Sequence, residues 1–346
     1  VYVDNVGRVL ETADKEEPEA GNDVYLSIDV NLQSKIYHAL EQELADILVS
    51  NITTSDTAVI SSGSSTKVQI PIKDVYYALI NNNVLSMNKI AAPDGTDTEQ
   101  NVYAKFLDKR DTQLEVLREE LTGEGTAYKN LSEEMEVYTY YIYNMLLDNN
   151  VIVRSEIDET DETYQAWNSD ELSLSEILKY YISMNWVDLS AVNTDVQYSS
   201  LDETYNILVD YIINTITDDS GFAKKLYKFL IKDGAVTGRE VCLMLYEQGI
   251  LDDADGMYES IQNGASTYDF MINKISSLEI TPAQLALDPC SGSCVVTNSN
   301  TGEVLAMVSY PSYDNNEMSG SIDAAYYSML LNDASKPLLN RATTQT

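Results

Sequence analysis

Few side chains in this sequence have the type and spacing that a catalytic site needs. Ser64 and Lys67 have the Ser-x-x-Lys spacing at which a lysine can activate a serine hydroxyl for nucleophilic attack. That chemistry needs a helix start and a buried pocket, but both residues lie in the polar loop "SNITTSDTAVISSGSSTK", residues 50–67. We therefore discount Ser64 as a nucleophile and predict no catalytic residue in this chain.

Histidine, carboxylate and cysteine chemistry is also unsupported by the sequence. His38 is the single histidine, so an imidazole relay is excluded, and we expect this side chain to be a surface or half-buried packing residue. The 56 carboxylates are too numerous for spacing to identify a general acid–base pair. Cys242, Cys290 and Cys294 lack the paired spacing of zinc ligands. We predict no metal site and no cofactor.

Composition limits the kinds of partner. Apolar residues make up 44% of the 346 residues, which is typical of a folded chain, and the net charge is -35. A charge of that size repels phosphate, so we exclude nucleic-acid binding and docking to anionic lipid through a basic patch. The sequence has neither a signal peptide nor an apolar run of membrane-spanning length. It begins without Met in strand-like text, and we interpret it as a piece of a longer protein with any membrane anchor upstream.

The spacing of hydrophobic residues predicts a strand and a helix after an initial linker. Residues 1–23 end in a charged Pro/Gly linker, "ETADKEEPEAGND". Residues 24–29 alternate like a short strand, and residues 30–48 have the spacing of an amphipathic helix capped by Asp29 or Asn31. The predicted buried face of that helix consists of Leu32, Ile36, Leu40, Leu44 and either Ile47 or Leu48.

From about residue 71 to residue 286 the pattern is helical throughout, without a fixed repeat. The predicted helices span 73–83, 98–121, 132–148, 173–186, 201–216, 221–232, 239–249, 256–263, 267–277 and 282–286. Capping boxes are expected at Ser173/Glu176, Ser200/Glu203 and Thr237/Glu240, an N-cap with a following Pro at Thr281-Pro282, and helix ends at Gly123, Gly234 and Gly264. Tyr pairs such as Tyr76/Tyr77, Tyr140/Tyr141 and Tyr180/Tyr181 should pack their rings and expose their hydroxyls to water.

After Pro289 the pattern changes to a β-hairpin. Residues 294–297 and 303–310 read as strands, and the turn "NSNTG" between them has Gly302 as its positive-φ residue. A short helix is predicted over 321–333, followed by an extended segment at "KPLLNRA".

Three of these segments, in this order, resemble the transpeptidase domain of class B penicillin-binding proteins. "GNDVYLSIDVNLQSKIYHALEQEL" (21–44) is similar to the entry of that domain, and "TGEVLAMVSYPSYDNN" (301–316) is similar to its next hairpin and loop. "PLLNRA" (337–342) resembles the segment that leads into the nucleophile helix of the family. The resemblance covers about a quarter of the chain.

The resemblance implies an α+β fold that is predominantly α. In this reading, 1–23 end an N-terminal pedestal-type region, 24–49 are the first strand and helix of the transpeptidase domain, and 289–346 are its hairpin, loop and lead-in. The family's domain has an antiparallel sheet with helices. Residues 50–288 depart from the family pattern, and we interpret them as a large all-helical insertion.

The resemblance also implies where catalysis would occur. In the family, the Ser-x-x-Lys follows the Asn-Arg-Ala segment within about a dozen residues, so we expect this chain to end before it. Ser86-Met87-Asn88 and Ser183-Met184-Asn185 match the family's Ser-x-Asn element, but they lie in or beside helical text. The sequence has no Lys-Thr-Gly. This chain alone is expected to be inactive.

The function implied is that of a piece of a D,D-transpeptidase, which cross-links peptidoglycan stem peptides by serine acyl transfer and is a β-lactam target. Its expected location is extracytoplasmic, attached to the cell membrane. The alternative is a non-catalytic helical module that binds proteins of cell-wall synthesis, with exposed tyrosines and Trp167 or Trp186 as anchors. An extracytoplasmic location permits a Cys242–Cys290 disulfide, with reduced buried thiols as the alternative.

Overall fold

The structure is a computed structural model that describes residues 2–3, 9–11, 21–55, 69–188, 190, 200–254 and 256–344, and most of these residues are helical. The first elements in the chain are β1 (Tyr2–Val3), β2 (Val9–Glu11), α1 (Val30–Asn51), β3 (Ile52–Thr53) and β4 (Ile70–Pro71). Strands β1 and β2 pair antiparallel, and β3 and β4 form a two-residue parallel pair.

The region between β4 and residue 286 is helical, and we call residues 70–286 the helical body. Its helices are α2 (Ile72–Asn81), α3 (Met87–Ile90), α4 (Asp97–Thr122), α5 (Glu133–Asp148), α6 (Glu162–Asn168), α7 (Leu174–Ser183), α8 (Leu201–Thr217), α9 (Ser220–Lys232), α10 (Gly238–Glu247), α11 (Met257–Gln262), α12 (Thr267–Ser276) and α13 (Pro282–Leu285). One continuous apolar cluster runs through it from Ile70 to Leu285. Ala45, Leu48 and Ile52 belong to the same cluster, so the helical body shares its hydrophobic core with the end of α1 and β3.

The last part of the described chain contains an antiparallel hairpin whose two strands are the longest among the described residues. It consists of β5 (Gly292–Thr297) and β6 (Val304–Tyr310), followed by α14 (Ala324–Asn332) and α15 (Arg341–Thr344). Gly302 has a φ of 75° in the turn, as the sequence predicts, because an L side chain rarely adopts that conformation.

Five helices of the helical body end in the same backbone motif. The chain leaves the helix through a residue of positive φ, and an apolar residue two positions later donates its N–H to the carbonyl six residues before it. This occurs with bonds from Leu85 to Leu79, Ile152 to Leu146, Val236 to Leu230, Leu251 to Leu245 and Ile280 to Lys274, all 2.8–3.0 Å long. All five apolar side chains are buried. The motif is a Schellman-type ending extended by one residue, and it turns each chain segment back into the core.

Predicted helix starts are largely confirmed. All three predicted capping boxes form, and Thr281 makes a fourth with Gln284 ahead of the Pro282 that opens α13. The sequence reading missed a further box at Thr96 and Glu99. These motifs are reliable because each satisfies backbone donors within four residues and needs no distant partner.

Several predicted boundaries are wrong. The helix expected over 173–186 ends at Ser183, because Asn185 takes a left-handed conformation. Residues 24–29 form no regular strand, and the extended segment expected over 336–342 becomes helical at Arg341. Helix α6 was not predicted at all.

The predicted tryptophan anchors are also wrong. Trp167 is 9% exposed and Trp186 is 6% exposed, and both belong to the core of the helical body. Their rings pack against Tyr143 and Tyr181, with centroid separations of 5.2 Å and 5.5 Å. Buried aromatic rings of this kind stabilise the fold and offer no surface to a partner.

Most of the paired tyrosine hydroxyls have a hydrogen-bond partner within the protein, which the sequence analysis did not anticipate. The bonds run from Tyr76 to Thr267, Tyr77 to Asn81, Tyr141 to Asp219, Tyr180 to Asp161, and between Tyr143 and Tyr181. Tyr140 is the exception, since 64% of it is exposed. A buried hydroxyl must find a partner because losing its water is costly.

The proposed disulfide is not formed. Cys242, Cys290 and Cys294 are all free thiols. Cys242 lies in α10 and is fully buried in the helical body, so the alternative of reduced, packed thiols is the one that the structure supports for it.

Helix α1 packs against the helical body at its C-terminal end and against the hairpin at its N-terminal end. Leu44, Ala45 and Leu48 are buried at its C-terminal end, where Ala45 and Leu48 enter the core of the helical body. Its N-terminal half packs on β6, and Leu32, Ile36 and Leu40 are half-buried there, as predicted. Ile47 is 38% exposed, so Leu48 is the buried residue of the two that were expected.

The start of α1 closes the outer edge of β6. Asp29 caps the helix by accepting from the N–H groups of Asn31 and Leu32, and its own N–H donates to Leu305 O at 2.9 Å. Gln33 Oε1 accepts from the Met307 N–H at 2.8 Å. A strand edge presents unpaired backbone groups, and here a helix start supplies their partners.

We expect Gln33→Ala to lower the free energy of unfolding by about 1–3 kcal/mol, because it leaves the Met307 N–H without its acceptor. Gln33→Glu keeps an acceptor and should lose much less. Urea unfolding measures both, with Lys35→Ala on the exposed side of the same helix as the control. Equal losses for Gln33→Ala and Gln33→Glu would show that the hydrogen bond to Met307 does not stabilise the fold.

A substitution at Gly238 tests the packing between α2 and α10. A Cβ at this position would lie 2.5 Å from the ring of buried Tyr76. Gly238→Ala should therefore destabilise the protein by about 1–3 kcal/mol through overpacking. Gly21→Ala is the control, since a Cβ there meets no atom within 4 Å, and its thermal midpoint should stay unchanged. An unshifted midpoint for Gly238→Ala would contradict the close packing of Tyr76.

Candidate functional site

A cleft of about 570 Å³ lies beside the hairpin, where α1, β6 and residues 337–340 meet. We call it the hairpin cleft. Its lining consists of Val30, Gln33, Ser34, Tyr37, Met307, Val308, Ser309, Ser312, Tyr313, Asn315, Pro337, Leu338, Leu339 and Asn340. These described lining residues carry hydroxyl, amide and apolar groups and no charged side chain. The cleft is suited to packing and hydrogen bonding and not, by itself, to acid–base chemistry.

Ser309 fixes the start of α15 against β6. Its hydroxyl accepts from the Ala342 N–H at 3.1 Å and donates to Asn340 Oδ1 at 3.3 Å. The side chain of a strand residue thus supplies a partner for the backbone donor of the next helix.

Arg341 folds the preceding segment into a tight turn. The residue is 7% exposed, and its guanidinium donates to Ser335 O at 2.7 Å and to Lys336 O at 3.1 Å. Because these carbonyl contacts replace water, the buried charge is hydrogen-bonded within the segment that contains it. Asn340 and Arg341 therefore act together to place α15.

Tyr310 connects the end of β6 to the helical body. Its hydroxyl accepts from the Ala283 N–H at 3.3 Å, and its ring lies 5.3 Å from that of Tyr37 on α1. Burial raises the pKa of both Tyr37 and Tyr310, with Glu41 adding to the rise for Tyr37. Both hydroxyls stay protonated at neutral pH, so they do not act as bases.

The residues discounted in the sequence have structural roles where they can be described. Ser86 caps α3 by accepting from the Lys89 N–H, and Ser183 donates to Tyr180 O at the end of α7. The side chain of His38 is 71% exposed and lies 3.7 Å from Glu41. Ser64 and Lys67 lie outside the described residues.

The thiols of Cys242 and Cys290 are not activated. Burial raises the pKa of the Cys242 thiol, and burial together with the negative charge of Asp288 raises that of Cys290. A nucleophilic cysteine needs the opposite shift. Within the described part of the chain, no group of three or more His, Cys, Asp and Glu side chains could hold a metal ion.

Sequence reasoning named Asp29 as a helix cap and included Gln33 in the segment 21–44 that carries the resemblance, and the structure brings both onto β6. It missed Ser309, whose partners Asn340 and Ala342 lie more than 30 residues away. Nothing in the local pattern around Ser309 marks it, because a strand serine is usually a solvated residue.

Among the described residues, no helix is both long enough and apolar enough to span a membrane.

One part of the chain matches a family model. Residues 292–346 match the family model described as the penicillin binding protein transpeptidase domain. This matched segment contains the hairpin, α14 and α15. No solved structure matches the chain.

Curated relatives are similar over short stretches. The peptidoglycan D,D-transpeptidase MrdA of Escherichia coli is 57% identical over 49 residues, which are 14% of this chain and 8% of that protein. PbpA of Mycolicibacterium smegmatis is 44% identical over 63 residues, or 17% of this chain and 12% of its own length. MrdA of Haemophilus influenzae is 47% identical over 57 residues, 16% and 9% of the two chains. A short stretch of this chain is thus homologous to a small part of peptidoglycan D,D-transpeptidases.

Proposed function

We propose that this chain carries the first part of the transpeptidase domain of a class B penicillin-binding protein. The full-length protein, which we call the parent, would cross-link peptidoglycan stem peptides by serine acyl transfer and would react with β-lactams. Residues 24–49 and 289–346 supply the domain's first helix, hairpin and lead-in, and residues 50–288 form a helical insertion. The nucleophile follows Asn340-Arg341-Ala342 in the parent and does not lie in this chain.

The observation that carries the proposal is the meeting of three segments that are distant in sequence. The family match covers only residues 292–346. Residues 27–33 lie outside it, yet they bond directly to β6 through Ser27, Asp29 and Gln33. A helix that completes the edge of the matched hairpin supports its assignment to the same domain.

The docking of residues 337–344 supports the position of the nucleophile. Ser309 and Arg341 hold the start of α15 in a defined direction at the end of the matched segment. An acyl-transfer nucleophile has to be held by rigid elements, since small misplacements cost large factors in rate. A helix that begins at Arg341 would be held in this way.

We propose an extracytoplasmic location with a membrane anchor upstream of residue 1, as the family resemblance implies. The strongly acidic composition is compatible with that setting and argues against a nucleic-acid partner.

A second candidate function is a non-catalytic module that binds other molecules of the cell-wall machinery. The continuous core of the helical body favours it, because this region folds around one apolar cluster that it shares with the end of α1 and β3. Deleting the insertion is a poor test, since it would uncover Leu44, Ala45 and Leu48 of α1. Surface substitutions on the helical body are the better approach.

The acyl-transfer proposal predicts which proteins a fluorescent penicillin will label. The parent should form a stoichiometric, heat-stable adduct, whereas the 346-residue chain should form none because it holds no activated serine. The readout is in-gel fluorescence with mass spectrometry of the adduct.

Ser64 provides the control for this experiment. Parent protein with Ser64→Ala should be labelled as well as the unmodified parent, because Ser64 is not the nucleophile. Labelling of the 346-residue chain, or loss of labelling in Ser64→Ala, would place the nucleophile in this chain and overturn the assignment. An unlabelled parent would remove the transpeptidase proposal itself.

A further inference from the structure

A second cleft lies on the helical body, between α2, α5 and α9, and we call it the tyrosine cleft. Its volume is about 580 Å³, and it shares no lining residue with the hairpin cleft. Volumes of this order are typical of small-molecule sites, which occupy roughly 300–1,000 Å³.

Four tyrosines form much of its wall, and three of them are fixed. The Tyr77 hydroxyl donates to Asn81 Oδ1 at 3.0 Å, and the Tyr128 hydroxyl donates to Glu136 O at 3.3 Å. The Tyr141 hydroxyl donates to the carboxylate of Asp219. Rings held by their own hydroxyls form a pre-organised apolar surface, and less entropy is lost when a ligand binds there.

The close approach of Gly221 to Tyr141 also maintains the wall. A Cβ on Gly221 would lie 2.2 Å from the Tyr141 hydroxyl, so only glycine permits this ring position. Tyr140 differs from the other three rings, because 64% of it is exposed. It lies at the cleft as an aromatic side chain that a ligand can cover.

Two lysines of α9 line the same cleft, in a chain whose net charge is -35. Neighbouring lysines of this helix have close partners, since Lys224 donates to Asn81 O at 2.8 Å and Lys232 pairs with Glu133. Lys225 and Lys228 make no hydrogen bond or ion pair within 4 Å among the described residues. They are half-buried, so their ammonium groups are only partly solvated.

Lys225 and Lys228 have different charged neighbours. Burial lowers the pKa of the Lys225 ammonium, and the positive charge of Lys228 lowers it further. Lys228 also interacts at longer range with Asp74 and Glu133. Glu136 is the one carboxylate among the described lining residues. An anion between the two ammonium groups would relieve their repulsion.

We propose that the tyrosine cleft binds a small carboxylate-bearing ligand whose remaining body is apolar or a ring. The carboxylate would lie between Lys225 and Lys228, as charge-assisted hydrogen bonds require, and the body would pack on the tyrosine rings. If the proposed function holds, peptidoglycan offers two sources of this chemistry. They are the C-terminus of a stem peptide and, where the stem peptide has been removed, the lactyl carboxylate of muramic acid, which is otherwise bound to that peptide as an amide.

The test measures binding to the 346-residue chain by saturation-transfer NMR, with three probes. They are N-acetyl-D-alanyl-D-alanine, its C-terminal amide, and N-acetylmuramic acid. We expect at least one of the two acids to bind saturably. If the dipeptide acid is that ligand, the amide should bind at least about tenfold more weakly, because it lacks the charge. Whichever acid binds more tightly identifies the source.

Substitutions of the lining residues test whether the ligand binds in this cleft. Lys225→Gln with Lys228→Gln should weaken the acid at least about tenfold, and Tyr140→Leu should weaken it several-fold without affecting the fold. Lys35→Gln with Lys232→Gln changes the net charge equally outside the cleft and should leave binding unchanged. Thermal unfolding confirms that each variant is folded.

The proposal is overturned if neither acid binds saturably, if the dipeptide amide binds as tightly as a dipeptide acid that does bind, or if the Lys225/Lys228 variant retains full binding. None of these measurements involves acylation. An unlabelled parent would remove the transpeptidase proposal and leave a carboxylate site on the helical body, whereas failed binding would leave the transpeptidase proposal untouched.

Discussion

The outer edge of β6 is closed by the start of a helix, and the geometry around the hairpin depends on this contact. Asp29 and Gln33 satisfy backbone groups of Leu305 and Met307 that a strand edge would otherwise leave unpaired. The same helix, 22 residues and about 33 Å long, enters the core of the helical body through Ala45 and Leu48. Because an α-helix is stiff over this length, α1 fixes the hairpin relative to the helical body.

This arrangement gives the helical body a structural consequence that its sequence does not reveal. The helical body supports one end of α1, and its α13 provides the Ala283 N–H that bonds to Tyr310 at the end of β6. The hairpin in turn holds the start of α15 through Ser309. In the proposed parent, the insertion would therefore help to position the lead-in to the nucleophile. That support is compatible with a ligand-binding role, since the tyrosine cleft uses a different surface.

Features fixed by neighbouring residues could be predicted from the sequence. The Asp29 cap, the capping boxes and the Gly302 turn each depend on a few adjacent residues, and all are confirmed. The segment 24–29 has the alternation of a strand but forms none, because it has a partner only near its end, at Ser27 and Asp29. Pairing is a tertiary property, and alternation alone does not supply it.

Burial and clefts were harder to predict. A tryptophan can serve as an anchor or as core, and only the packing of Tyr143 and Tyr181 around Trp167 and Trp186 decides between them. The tyrosine cleft draws on α2, α5 and α9, which are separated by more than 40 residues along the chain, so no local pattern identifies it. The hairpin and its resemblance were recognisable because motif and structure coincide in one continuous segment, residues 292–346.

The claim that α1 couples the two regions can be tested by amide hydrogen exchange of Leu48→Ala. This substitution removes a fully buried side chain from the core of the helical body, at a cost of about 2–5 kcal/mol. If α1 couples the regions, exchange should become faster at the Met307 and Val308 amides of the hairpin as well as in α12. Ile47→Ala, at a partly exposed position of the same helix, should change little. Faster exchange confined to the helical body, with the hairpin amides unchanged, would show that the two regions fold independently and would contradict the account.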